Sequence, residues 1–323
     1  MSWYHSLVQS LRGASQNTRP RPARPPLFLE SLEDRMVPSS PQSFVAPQYD
    51  ISVIDRGLAR PTGITIDNHN DIFITQVPTP GVGGGQNSVT ELIPTHGTLA
   101  SATLHQGEPE PTNITVDGKG TIYWTCKSAG VILEQDAKGN TTKLLSGLQK
   151  PTGITVDPTG RFLYFTEIPT PGVSGKNGGT NKVSRLNLRS GEVTVLHTGD
   201  PEPTDIAADA RGNVYWTCKS AGVIVERTRE GDVSVILSGL HSPEGLALRR
   251  GKLYFTEVPT PGVKGDAGGM NTVNLFDLRT KTRVVIHSGD PEPTDITVDR
   301  RGDVYWTCSS AGVIVEAMLV DHH

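Results

Sequence analysis

The 323-residue sequence has few cysteines, few aromatic side chains and no long apolar run. Its three cysteines are an odd number, and each falls at the same place in a repeat, which excludes a disulfide framework. No segment approaches the ~20 consecutive apolar residues that a helix needs to cross a bilayer, so no transmembrane segment is expected. Positive charge is not in excess: 30 Lys and Arg face 34 Asp and Glu, for a net charge of -4. Nothing in that balance points to nucleic acid as a partner. Only 35% of the residues are hydrophobic and 6% aromatic, whereas glycine (35) and proline (24) are abundant. Many short strands joined by many tight turns have this composition.

One short stretch is written six times. Its clearest copy is Pro293-Thr294-Asp295-Ile296-Thr297-Val298-Asp299, followed by Gly302-Asp303-Val304-Tyr305-Trp306-Thr307-Cys308. It reads as an apolar strand, a tight polar turn, and a strand rich in aromatic and β-branched residues. The other copies start at Pro61, Pro111, Pro151, Pro203 and Pro243, so the spacings are 50, 40, 52, 40 and 50 residues. A strand-only repeat of roughly 40–50 residues is the mark of a β-propeller with one four-stranded blade per repeat. The expected fold is all-β, a six-bladed propeller over residues 47–323. Its blades lie near 61–106, 111–147, 151–198, 203–239, 243–288 and 293–319.

The last repeat has room for three strands only. Residues 50–57, Asp-Ile-Ser-Val-Ile-Asp-Arg-Gly, read as the last strand of a blade. They are expected to complete blade 6 and close the ring, which removes two sheet edges at once.

The blades alternate. Blades 1, 3 and 5 end their second strand at Gln76, Glu167 and Glu257 and continue into long inserts that begin Val77-Pro-Thr-Pro-Gly, Ile168-Pro-Thr-Pro-Gly and Val258-Pro-Thr-Pro-Gly. Blades 2, 4 and 6 end it at Cys126, Cys218 and Cys308 and turn quickly through Ser-Ala-Gly-Val-Ile. The unit is thus a pair of blades, present three times, and near three-fold pseudosymmetry is expected.

In an up-and-down blade the inserts and the connectors between blades emerge on one face. Binding groups on rigid β scaffolds concentrate on such loops and at such mouths. The connectors there are acidic in the even blades. Glu110, Glu202 and Glu292 precede the innermost strands, and Asn113, Asp205 and Asp295 lie near the start of those strands. Converging oxygen donors suit a hard divalent cation, Ca²⁺ above others. The same acids would equally serve as turn caps and as ion-pair partners of Arg60, Lys127, Lys150 and Lys219.

The three cysteines sit too far from the axis to share one metal. They read as small residues packed beside Trp124, Trp216 and Trp306, or else as thiols at the mouth. His105, His197 and His287 repeat at the end of the outer strand, placed to hold the turn that follows. His241 and Glu244 break the pattern: five repeats place threonine after the proline, and one has Pro243-Glu244-Gly245. A departure from symmetry marks either function or drift.

Pro151-Thr-Gly-Ile-Thr-Val-Asp157 with Leu163-Tyr-Phe-Thr-Glu167, and the Tyr-Trp-Thr-Cys copies, resemble six-bladed propellers of the NHL/YWTD type. They also look like gluconolactonase-like and streptogramin (virginiamycin B) lyase-like propellers. The YWTD resemblance implies binding of protein ligands, with cysteine here where that motif has aspartate. The gluconolactonase resemblance implies a divalent metal held at the second position of the innermost strands. Here those positions are Thr62, Thr112, Thr152, Thr204, Glu244 and Thr294, and Glu244 alone matches. The lyase resemblance implies a metal-assisted elimination with a histidine base, for which His241 is the candidate. Residues 1–46 differ from the rest, with Arg12, Arg19, Arg21, Arg24 and Arg35 set among Pro, Ser and Gln, and read as a disordered tail or as an export-related segment. Within them Phe28-Leu29-Glu30-Ser31-Leu32-Glu33-Asp34-Arg35-Met36-Val37-Pro38-Ser39 resembles the LEDR/LEPR segment of certain bacterial surface or exported proteins, which implies an extracytoplasmic location.

Two functions are therefore expected from different classes. The first is a monomeric, non-catalytic propeller that binds a protein, glycan or small molecule at its mouth. Its ligand-binding residues would be Glu110, Glu202, Glu292, Asn113, Asp205 and Asp295, with Gln76, Glu167 and Glu257 beside them. The second is a metal-dependent lactonase or lyase with Glu244 and His241 as catalytic candidates and Glu244, Asp205 and Asp295 as metal ligands. A purely structural surface protein is the third reading and would have no pocket.

Overall fold

A computed structural model of the chain describes residues 47–78, 87–95, 98–107, 109–169, 180–259 and 270–320. The export-like segment and the greater part of the three long inserts lie outside these residues. The described residues form 24 strands and no helix. The strands make six antiparallel sheets of four. Each innermost strand packs against the next, and Pro293–Val298 packs against Pro61–Ile66, which closes the ring. Five sheets use consecutive strands. The sixth combines Pro293–Val298, Val304–Cys308 and Val313–Leu319 with Tyr49–Arg56. The clasp is thus present, one residue earlier than the sequence suggests. It pairs antiparallel from Tyr49↔Leu319 to Arg56↔Val313.

The core is six wedges, one between each pair of adjacent sheets. The second strands are buried on both faces, which explains their unbroken apolar wording. Within each two-blade unit the wedge holds a tryptophan and a cysteine: Trp124 with Cys126, Trp216 with Cys218, and Trp306 with Cys308. Between units the wedge holds aliphatic and phenyl groups, such as Phe165 with Leu163 and Phe255 with Leu253. The alternation of the sequence is therefore an alternation of two kinds of core. No disulfide joins the cysteines, which are buried beside the indoles.

Threonine hydroxyls join the blades to one another. The second strands carry Thr75, Thr125, Thr166, Thr217, Thr256 and Thr307 at one place, all fully buried. Each hydroxyl accepts the N–H of the third residue of its own innermost strand, at 2.8–3.2 Å. Thr125 and Thr217 also donate to the carbonyls of Thr152 and Glu244 in the next blade, at 2.7 and 2.8 Å. The longer contacts from Thr75 to Thr112 and from Thr307 to Thr62, both 3.4 Å, repeat the pattern. The ladder between innermost and second strands shifts register at this point in every blade. That irregularity turns the third N–H out of the ladder, and the threonine satisfies it.

Thr125→Val keeps the shape of the side chain and leaves the Asn113 N–H and the Thr152 carbonyl without this partner. The expected cost is about 1–3 kcal/mol. It should appear as a lower denaturant midpoint with an unchanged slope. A midpoint equal to that of the parent chain would show that the hydroxyl contributes nothing to holding the blades together.

Candidate functional site

The connector face is built on an unusual backbone position. The residue before each blade's first proline has a left-handed φ: Arg60 51°, Glu110 55°, Lys150 52°, Glu202 55°, Ser242 49° and Glu292 53°. Its carbonyl accepts the N–H of the residue that follows the second strand, at 3.0–3.2 Å in all six blades. This ring of non-glycine residues in a region that L-residues seldom occupy has no signal in the sequence. Its side chains alternate in sign, basic then acidic, except at Ser242. Glu110 and Glu202 accept hydroxyls from Ser128 and Ser220. Among the described residues Arg60, Lys127 and Lys150 form no ion pair. The expected blade-to-blade pairing occurs at Lys219, and its partner is Glu244.

Over the axis lies a cavity of about 240 Å³. Its walls are the second residues of the innermost strands, Thr62, Thr112, Thr152, Thr204, Glu244 and Thr294, with Lys127, Lys219 and Glu202 above them. Its floor is Asn113, Asp205 and Asp295. The reason for that trio is steric. At the third position the odd blades have Gly63, Gly153 and Gly245. A Cβ there would stand 2.8, 2.6 and 2.7 Å from the Cα of Asn113, Asp205 and Asp295 respectively. The strands approach so closely that three blades must give up the side chain, and the axis then holds the other three.

The floor is a closed hydrogen-bond set. Asp205 Oδ1 accepts the Ile206 N–H at 2.8 Å and the Asn113 amide at 2.9 Å, and its Oδ2 accepts the Leu246 N–H at 2.6 Å. Asp295 accepts the N–H groups of Ile296 and Ile64, each at 2.8 Å. The two carboxyls act on each other electrostatically, and each residue is only 4% exposed. Burial pushes Asp205 up to about 7, against backbone and side-chain hydrogen bonds that pull it down. Burial, and then the charge of Asp205, holds Asp295 well above the usual carboxylate range. Two buried carboxyls in contact cannot both ionise, so the pair retains a proton. On the far side a second cavity of about 150 Å³ is lined by Ile64, Ile114, Ile154, Ile206, Leu246 and Ile296, with Thr65, Thr115, Thr155 and Thr297 among them. The trio therefore separates two cavities on the axis.

Glu244 stands in the threonine ring and bonds the Lys219 ammonium of the preceding blade. Burial raises the Glu244 carboxyl, and Lys219 offsets part of that rise. Burial pulls Lys219 down, but Glu244, Glu202 and Glu292 outweigh it and leave the ammonium above its ordinary value. His241 does not join them. Its side chain is 78% exposed, its Nδ1 is 3.9 Å from Glu257 Oε1, and it does not line the cavity.

Gln76, Glu167 and Glu257 are on this face, but their side chains turn back into the blades. Each oxygen accepts a connector N–H: Ala59 at 2.8 Å, Gln149 at 2.7 Å and His241 at 2.8 Å. Glu257 is further held by Thr272, Asn274 and Arg283. In the even blades the connector is held by acids that sequence reasoning missed. Asp200 and Asp290 accept the indole N–H of Trp216 and Trp306, both at 2.7 Å. Their other oxygens meet His197 and His287 at 3.1 and 3.3 Å. These histidines stack on the same indoles and hold the turn. Burial raises the Cys218 and Cys308 thiols, which stay protonated.

No family model matches the chain. A stretch of 168 residues is 31% identical to human low-density lipoprotein receptor-related protein 5; it is 50% of this chain and 10% of that protein. The chain thus spans about a tenth of the length of this curated relative. Among solved structures, a Xanthomonas campestris gluconolactonase has a TM-score of 0.66 at 16% identity, over 84% of this chain and 90% of that one. A streptogramin B lyase scores 0.58 at 16% identity, over 84% and 98%. A chain of a nidogen/laminin complex scores 0.58 at 20% identity, over 71% and 81%. The chain is a six-bladed β-propeller. The likeness to all three structures is one of fold, and these propellers serve binding in one case and chemistry in the others.

The axial pair sets a pH dependence. In the unfolded chain both carboxyls titrate near 4, whereas folded Asp205 holds its proton up to about 7 and Asp295 also lies well above the usual carboxylate range. The folded state therefore binds more protons in between. The pair's contribution is complete below about pH 4 and is lost as pH rises through 7. Unfolding free energy measured from pH 5 to 8 should fall more steeply for the parent chain than for Asp205→Asn. Equal slopes would mean that the pair is ionised throughout.

Proposed function

We propose that the chain is an extracytoplasmic binding module whose ligand seats a polar, hydroxyl-rich group in the axial cavity of the connector face. The observation that carries this reading is the composition of the 240 Å³ cavity. Thr62, Thr112, Thr204 and Thr294 already bond the second-strand threonines and the next blade's proline carbonyls. Their remaining lone pairs, the Lys127 ammonium and the Lys219–Glu244 pair offer acceptors and donors in several directions, as a sugar or sugar acid requires. Among the described residues the wall offers no nucleophile with an adjacent base. Rim acids Glu110, Glu202 and Glu292 would contact whatever projects from the mouth. The nidogen/laminin complex supports the use of this fold in binding another macromolecule. The extracytoplasmic location rests on the Phe28–Ser39 segment.

The alternative is a metal-dependent lactonase or lyase. It is favoured by one observation: a partly buried glutamate that faces a cavity and whose carboxyl burial holds above its ordinary value. Its metal would be held by Glu244, Asp205 and Asp295. Ca²⁺ takes 6–8 oxygen ligands. Here the Asp205 and Asp295 oxygens already accept backbone amides, and Glu244 is bonded to Lys219. This donor set suits a shared proton better than a hard dication.

Thermal unfolding with a panel of neutral sugars and uronic acids tests the binding reading, alongside Ca²⁺ after chelator treatment. A ligand at 100 times its dissociation constant should stabilise by about 2.7 kcal/mol. The shift should disappear in Lys127→Met and in Glu244→Gln, and Ca²⁺ should give none. Lactone hydrolysis that depends on Ca²⁺ and is lost in Glu244→Gln would replace the binding reading by the enzyme.

A further inference from the structure

The end of the ring opposite the mouth carries the turns from innermost to second strands. In five blades that turn opens on an aspartate: Asp67, Asp117, Asp157, Asp209 and Asp299. Its Oδ1 closes the turn by accepting backbone N–H groups, as Asp117 does from Lys119 and Thr121 at 2.8 and 2.9 Å. Blade 5 departs from this rule. Its position holds Arg249, and the turn shrinks to Arg250-Gly251, with φ of 48° and 74°. Such a two-residue hairpin takes its shape from left-handed backbone and needs no acid to close it. An anionic cap is thereby exchanged for two adjacent cations in one blade of six.

The exchange has consequences for its surroundings. A cavity of about 780 Å³ between blades 4 and 5 is lined by Arg211, Arg249, Arg250 and Arg279, with Asp209 and Asp277. Both acids are already engaged. Asp209 accepts the Arg211 and Asn213 N–H groups at 2.9 and 2.8 Å. Asp277 accepts those of Arg279 and Thr280, each at 2.9 Å. Among the described residues none of the four guanidinium groups forms an ion pair or a side-chain hydrogen bond. The Nε of Arg249 is buried and has no partner. Burial, and then Arg250 and Arg300, hold the Arg249 guanidinium below its ordinary pKa, and Asp299 and Tyr254 offset only part of that fall. Surface arginines are usually solvated singly. Here four line one cavity with their donors unspent, and one has a donor cut off from water.

We propose that this cavity between blades 4 and 5 binds a ligand bearing phosphate or sulfate groups, held by Arg211, Arg249, Arg250 and Arg279. Planar guanidinium groups pair such oxyanions two bonds at a time, and four of them suit more than one anionic group. The site lies at the opposite end of the ring from the axial cavity and does not depend on what that cavity binds.

Calorimetric titration of the full chain with inorganic pyrophosphate at low salt is the direct test. Binding is expected, weakening as salt is added. It should drop at least about tenfold in the Arg249→Gln/Arg250→Gln variant, a loss of about 1.4 kcal/mol. Arg161→Gln, in the corresponding turn of blade 3, should keep it. If the double variant does not fold, the exposed pair Arg211→Gln/Arg279→Gln takes its place, with the same expected loss. Sedimentation with phosphatidylglycerol vesicles, against phosphatidylcholine alone, separates two sources of the anion. Vesicle binding lost in the same variant assigns a lipid headgroup, and pyrophosphate binding without vesicle binding assigns a soluble ester. No binding of either probe at low salt overturns the proposal. So does binding that the arginine variants leave unchanged.

Discussion

Six strands converge on an axis that has room for three side chains. Most of the other features of the ring follow from that crowding. At the third position of the innermost strands, glycine in the odd blades lets the backbone of the even blades come within contact of where a Cβ would stand. The even blades fill the axis with Asn113, Asp205 and Asp295. Crowding also sets the register irregularity beside the first proline of each blade. There the third N–H leaves the ladder and is taken up by a threonine of the second strand. A blade cannot be exchanged for its neighbour, so the smallest repeating element is a pair. The two kinds of wedge, indole with thiol and phenyl with aliphatic, follow the same alternation.

Against this three-fold background the asymmetry is concentrated in one strand. Pro243–Arg249 begins with Glu244 where the other blades have threonine, and ends with Arg249 where they have aspartate. One departure places a carboxylate at the mouth, and the other places a cation at the base. Their electrostatic surroundings differ. Glu244 has Lys219 of the preceding blade, whereas Arg249 stands among other arginines. A single strand thus gives the two ends of the ring their individual chemistry, and the remaining five supply a nearly uniform frame.

The ring, its six sheets, its clasp and its pairing of blades were legible in the sequence. They depend on where strands start, and Pro-Thr-x-Ile and Tyr-Trp-Thr-Cys mark those starts. Side-chain direction at the strand ends was not legible. Gln76, Glu167 and Glu257 end their strands on the expected face, yet each is drawn back by a connector N–H whose position depends on the left-handed residue before the next proline. No residue type announces that conformation when the residue is Arg, Glu, Lys or Ser. Asp205 and Asp295 are intermediate. Their position was legible, and the glycines opposite them were a usable clue to how near they lie. Their partners, each other and the amides of neighbouring blades, required the spacing of the strands.

The clasp has a mechanical consequence. Tyr49–Arg56 runs antiparallel to Val313–Leu319 and enters it beside the point where the latter leaves, with the Val320 N–H bonded to the Gln48 carbonyl at 3.0 Å. A tension applied between residues 48 and 320 therefore falls on the first rung of that ladder alone. The seam would open like a zip, rung by rung, instead of resisting as a set of bonds sheared together. The ring is closed at its weakest direction of pull, and under tension blade 6 would release its outer strand while the other five blades still hold theirs.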